Sequence, residues 1–200
     1  MKLILINGPA GSGKDTIGKA LSETIKDQHS ILIEKLAYPI KRAVAAAFDM
    51  TPEQYTYFFE SPAKNEEQPF FFMKTPRQVL TDFSEIYIKP RLGHQTFAEL
   101  LCRRLDKQSD IDVCIVTDCG FEDEYQHLAK QYGERNVVVL RLFRDGCDFK
   151  GDSRNYITDT FTDCAGIIDV NNNSTVESCV STLLTILDEW LNKGLPQCRE

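Results

Sequence analysis

Residues Lys2 to Asn7 (KLILIN) are apolar almost without a break and run straight into a glycine-rich turn, the pattern of a strand buried on both faces of a parallel sheet. From Lys14 to about Gln28, Ile17, Ala20, Leu21 and Ile25 recur at helical spacing, which predicts a helix directly after the turn. A second strand is predicted at Ser30 to Glu34, and a helix from Ile40 to Phe48 after Pro39. Further along, Val113 to Thr117 reads as a buried strand, Glu122 to Tyr132 as a helix and Val137 to Phe143 as a strand. A polar loop from Arg144 to Asn155 precedes a short strand at Ile167 to Val170, an asparagine turn at 171–173 and a closing helix from Thr175 to Asn192. Strands alternating with helices in this way predict an α/β three-layer sandwich with a mostly parallel sheet of about five strands.

The alternation breaks at residues 50–74, where Pro52, Pro62 and Pro69 interrupt two aromatic clusters, Tyr55, Tyr57, Phe58 and Phe59, then Phe70, Phe71 and Phe72. This stretch reads as an irregular insertion whose rings serve packing, with base stacking as the alternative. Thr75-Pro76 then supplies an N-cap and a first-turn proline for a helix to about Tyr87, and a further helix is predicted from Thr96 to Asp106.

Composition narrows the class. Two hundred residues suit a single domain, 1–200, and 42% apolar with 26% charged residues is a globular balance. Net charge is −7, so no global attraction draws the chain to nucleic acid or anionic lipid, and any polyanion must be held by a local patch. The first apolar run stops at Ile6 with no cleavage pattern after it, which leads us to expect a cytoplasmic protein with no membrane partner. Seven cysteines (102, 114, 119, 147, 164, 179 and 198) are odd in number and lack CxxC spacing, the usage of reduced thiols rather than of a zinc site or a disulfide framework.

The turn after the first strand reads Gly8-Pro9-Ala10-Gly11-Ser12-Gly13-Lys14-Asp15-Thr16. Its glycines let backbone N–H groups wrap phosphate oxygens, the helix N-terminus adds a positive dipole end, and a lysine at position 14 reaches β- and γ-phosphates. Gly8, Gly11, Ser12, Gly13, Lys14, Asp15 and Thr16 are therefore the expected ATP-binding residues. Asp15 stands where Ser or Thr is usual, so Thr16 is the candidate hydroxyl ligand of Mg2+. Asp118, closing the strand from Val113, has the position of an acid that reaches the same ion, or that of a turn residue.

The Gly-Lys-Asp-Thr spelling resembles the deoxynucleoside monophosphate kinases of phages, and Leu36-Ala37-Tyr38-Pro39-Ile40-Lys41 and Lys74-Thr75-Pro76-Arg77 are similar to short blocks of that family. Two departures are plain. Tyr38 replaces an acid, and Asp118-Cys119-Gly120-Phe121 lacks the arginine of an Asp-x-Arg-Phe pattern. Ser84-Glu85 through Ile88-Lys89-Pro90-Arg91-Leu92-Gly93 to Phe97 looks more like the subfamily that phosphorylates 5-hydroxymethyl-deoxyuridine inside phage DNA. The resemblance implies a P-loop kinase using ATP and Mg2+, with an acceptor-side helical insertion over about 50–110 and a lid loop near 144–156. Its acceptor is then 5-hydroxymethyluracil in phage DNA or a free deoxynucleoside monophosphate, and a homodimer is left open. Arg77, Lys89 and Arg91 are the expected acceptor-binding cations. Arg144 and Arg154, ahead of Arg141, are the lid arginines expected to act with Lys14 and Asp15 in catalysis. A P-loop ATPase switch with no phosphorylated acceptor is the alternative of another class.

Overall fold

A computed structural model describes residues 1–158 and 166–193; Cys164 and Cys198 lie outside them. The chain forms two compact units, one from residues 1–36 and from 98 onward, the other from 37–97.

In the first unit five strands, β1 Lys2–Asn7, β2 Ile31–Glu34, β3 Val113–Val116, β4 Val137–Phe143 and β5 Ile167–Asn171, form one sheet in the order β2-β3-β1-β4-β5. Every pairing is parallel, with Leu3 beside Cys114 on one side and Val137 on the other. Because successive side chains alternate across a sheet, β1 feeds two cores. Ile4 and Ile6 join Ile115, Leu140 and Leu142 in a cluster with helix α1 (Lys14–Ile25) and with Leu183, Leu187 and Trp190 of the C-terminal helix, Val176–Lys193. Leu3, Leu5 and Val139, also fully buried, face the other way, where the helix Glu122–Tyr132 lies against β1 and β4. The result is the predicted three-layer α/β sandwich, and it puts the C-terminal ends of β1 and β3, Asn7 and the residues after Val116, at one edge. Strand ends fall within a residue or two of those read from the sequence.

Residues 37–97 are more regular than the prolines suggested. Helix α2 spans Tyr38–Ala47, and α3 spans Pro52–Glu60. Thr51 accepts from Gln54 N–H while the Gln54 side chain accepts from Thr51 N–H, so Pro52 sits in a first turn where its missing N–H costs nothing. An identical reciprocal cap at Thr75 and Gln78 starts α4, Pro76–Asp82. Phe58, Phe59 and Phe71 are buried, with Phe48, Phe58, Phe70 and Phe71 meeting at centroid separations of 5.0 to 6.0 Å, the packing use of the aromatics. Phe72 and Tyr57 are exceptions, 85% and 51% exposed.

After α4 the helix widens into a π-helical stretch, Phe83–Ile88, before α5, Lys89–Leu92. Pro90 has no N–H to return to the Ile86 carbonyl. Arg91 fills that gap, its guanidinium donating to Ile86 O at 3.0 Å and Tyr87 O at 3.3 Å. The remaining helices are α6 Thr96–Leu105, α7 Glu122–Tyr132 and α8 Val176–Lys193. Among the described residues no helix is long and apolar enough to cross a membrane. Cys102, Cys114, Cys119 and Cys179 are buried; burial pushes the Cys102 thiol up to about 11 and Cys114 up to about 12, so both stay protonated.

Candidate active site

Residues 8–13 join β1 to α1 with Gly11 at φ 81° and Gly13 at φ 93°, left-handed conformations that turn successive N–H groups toward one side. The loop is braced from β5's end. Asn172, buried, donates from Nδ2 to Ser12 O at 2.7 Å, and a Cβ on Gly13 would stand 2.6 Å from that nitrogen. The Ser12 hydroxyl is buried and has no hydrogen-bond partner among the described residues. Lys14 folds back over the loop, its ammonium donating to Gly8 O at 2.7 Å and Pro9 O at 2.6 Å. Burial first, and then the positive charge of Arg154, lower the Lys14 pKa to about 8, against the pull of Asp15, Asp118 and Asp152.

Both acids expected in the site are held. Asp15 Oδ1 accepts from the Thr117 hydroxyl at 2.6 Å and lies 2.9 Å from Lys35 Nζ. Asp118, directly beyond β3, accepts at Oδ1 from Leu36 N–H at 2.8 Å. Thr16 is on the exposed face of α1.

Arg154 is gripped by Asp152, with Nε donating to Oδ1 at 2.9 Å and Nη2 to Oδ2 at 2.6 Å. Burial lowers its pKa, but Asp152, Asp118 and Glu124 outweigh this and hold the guanidinium charged. The loop carrying it is pinned at its far end by Asn7, the last residue of β1. This fully buried amide donates to Cys119 O and Asn155 O and accepts from Ile157 N–H, all at 3.1 Å. Arg144 opens the loop, its Nη1 reaching Gly11 O at 3.4 Å. Arg141 instead pairs with Asp169 at 2.6 Å.

The three cations expected at an acceptor are in the 37–97 unit. Arg77 donates to Asn65 Oδ1 at 2.9 Å, and Arg91 closes the proline gap described above. Lys89 differs from the expectation of an open cation: its side chain is 1% exposed and its ammonium lies 2.9 Å from Glu85, one helical turn back.

Asn7, Lys35, Asp152 and Asn172 were not singled out by the sequence. Two of them left a signal, since Asn7 and Asn172 are amides closing or following apolar strands, positions where an uncharged side chain can satisfy converging backbone groups.

No protein-family model matches the chain, and no curated protein matches it. Among solved structures the chain is similar to APE1195, at 12% identity over 96% of this chain and 97% of that one, with a TM-score of 0.51. It is also similar to a sugar kinase from Janibacter sp. HTCC2649 (17% identity, 94% and 95% covered, TM-score 0.46) and to shikimate kinase from Aquifex aeolicus (16%, 93% and 96%, 0.40). At such identities the likeness is one of fold. Fold and loop together define an α/β protein with a parallel five-stranded sheet and a glycine-rich turn between β1 and α1.

Proposed function

We propose that the chain is an ATP-dependent phosphotransferase whose donor phosphates lie in the loop 8–16. The observation that carries this reading is the glycine turn between β1 and α1, with Gly11 and Gly13 left-handed and the Lys14 ammonium folded over it onto Gly8 O and Pro9 O; burial and the charge of Arg154 disfavour that ammonium, and a polyanion relieves it. The donor set suits Mg2+ brought in by the nucleotide. Mg2+ is ordinarily held by one or two protein groups with phosphates and water, and the Asp118 carboxylate and the exposed Thr16 hydroxyl would be those groups here. When bound, the ion neutralises charge on the transferring phosphoryl group. Lys14 orients the phosphates, and Arg154, already fixed by Asp152, stabilises charge at the equatorial oxygens.

For the acceptor we propose the 5-hydroxymethyl group of 5-hydroxymethyl-deoxyuridine in phage DNA. The Ser84-to-Phe97 resemblance supports it, as does the distribution of charge. Residues 37–97, with Arg77 and Arg91 as proposed contacts to the DNA phosphates, hold seven Lys and Arg against seven Asp and Glu, so the net −7 lies wholly outside them. A free deoxynucleoside monophosphate is the second reading. It is favoured by Arg154, whose stem occupies the space beside Gly120 and so supplies a guanidinium where the resemblance has an arginine and this chain has none. Transfer of labelled γ-phosphate from ATP to hydroxymethyluracil DNA, compared with each free deoxynucleoside monophosphate, tests both; hydrolysis with no labelled acceptor would overturn both.

A further inference from the structure

Two consecutive residues, in the turn directly after β2, hold both acids of the site. Lys35 Nζ lies 2.9 Å from Oδ1 and 3.0 Å from Oδ2 of Asp15, while the next residue, Leu36, gives its N–H to Asp118. The segment is itself anchored from α6. Arg104 Nη2 donates to the Lys35 carbonyl at 2.9 Å, and Nε and Nη2 grip Glu34 Oε2 at 3.1 and 2.9 Å. Exposure is unequal across the ion pair: the Lys35 side chain is 16% exposed and that of Asp15 63%. Lysine ordinarily keeps its ammonium in water, and drawing it inward is costly without a partner. Here the cation is the inner, fixed member, and the carboxylate it holds is the outer, accessible one, set beside Lys14. With Thr117 on the same oxygen, Asp15 has little freedom to leave this orientation.

We infer that Lys35 is a positioning residue of the phosphoryl-transfer site, fixing the Asp15 carboxylate toward bound nucleotide, with Arg104 as the anchor of the turn that carries it. The inference rests on the phosphotransferase reading for its kinetic consequences and on this geometry alone for its pairing.

The test compares Lys35→Met, Lys35→Arg, Asp15→Asn and the double variant Lys35→Met/Asp15→Asn. We expect Lys35→Met to lower turnover about tenfold or more with the KM for ATP within about threefold and an unchanged melting temperature, and Lys35→Arg to recover most of the loss. The double variant should be no slower than Asp15→Asn alone, because both substitutions remove one unit. Multiplying losses, an undiminished Lys35→Met or Asp15→Asn, or a Lys35→Met defect that follows melting temperature and is not recovered by arginine would each overturn the assignment. Absence of transfer by the wild-type chain to any acceptor overturns the functional reading instead. The pairing is then read from the carbon-13 resonance of the Asp15 carboxylate in the ligand-free protein, which Lys35→Met should move and Lys35→Arg largely restore; a resonance unmoved in Lys35→Met would overturn it.

Discussion

Arg154 lies directly across Gly120: a Cβ at position 120 would stand 2.5 Å from Arg154 Cδ, 2.8 Å from Cγ and 3.1 Å from Cβ. The approach is fixed from both sides, since Asn155 N–H donates to Gly120 O at 3.4 Å and Asp152 holds the guanidinium. Even one methyl group must therefore move the arginine or its loop. Gly120→Ala should lower turnover about tenfold or more, roughly 1.4 kcal/mol of transition-state stabilisation, while the KM for ATP changes little. Steady-state kinetics on the two proteins checks this, and equal turnover would remove Arg154 from the reaction.

The sheet and the glycine turn after β1 were legible because each rests on local signals: continuous apolar runs for strands buried on both faces, and glycine spacing for the turn. The contacts that assemble the site were not. Asn7 reaches residues 119, 155 and 157, and Lys35 reaches residue 15, separations that no periodicity encodes. Residues 52–60 were misread as irregular because three prolines outweighed the Thr51–Gln54 capping box, a signal present in the sequence. Lys89 reads as an open cation for a different reason, since lysine ordinarily keeps its ammonium in water, whereas here its side chain is 1% exposed beside Glu85.

Asn7 should be the costliest polar side chain to remove. Its amide makes three hydrogen bonds at 0% exposure, and Asn7→Ala leaves the Ile157 N–H and the carbonyls of Cys119 and Asn155 without it. Buried groups left unmade cost about 1–3 kcal/mol each, and partial relaxation brings the expected loss to roughly 2–4 kcal/mol. Urea unfolding measures it, and a loss under about 0.5 kcal/mol, the level of an ordinary surface substitution, would contradict the pinning of this loop.

Lys14 binds at the expense of the ligand-free fold. Folding lowers its pKa from 10.5 to about 8, so between those values the unfolded chain holds more protons than the folded one. The contribution of Lys14 is therefore least favourable below pH 8 and improves as pH rises toward 10.5. Lys14→Met should abolish transfer yet raise the stability of the ligand-free protein at pH 7 by about 1–3 kcal/mol, the cost of the buried charge less its bonds to Gly8 and Pro9. A lower melting temperature at pH 7 would contradict it.

ATP phosphates reverse that balance by giving the ammonium an anionic partner. Binding above pH 8 should therefore take up a proton, seen by calorimetry as a binding enthalpy that varies with the ionisation enthalpy of the buffer. Affinity should fall with rising pH, by up to about tenfold per unit while Lys14 is the titrating group. In Lys14→Met the buffer dependence should disappear; its persistence would place the titration elsewhere.

Arg154→Ala separates the two acceptors, because an alcohol and a phosphate ask different things of a guanidinium. A nucleotide phosphate is charged before reaction, so removing a cation that binds it should raise the acceptor KM as well as lower turnover. A hydroxymethyl group on a base is neutral until the transition state, so the same loss should appear in turnover alone. With hydroxymethyluracil DNA as acceptor we expect turnover to fall about a hundredfold or more, the magnitude of a lost transition-state donor, with the KM for DNA unchanged. Arg77→Ala and Arg91→Ala, proposed to meet DNA phosphates, should instead raise that KM and lessen its salt dependence. Rapid phosphorylation of free thymidylate with none of hydroxymethyluracil DNA, together with a raised thymidylate KM in Arg154→Ala, would replace the DNA acceptor with the nucleotide.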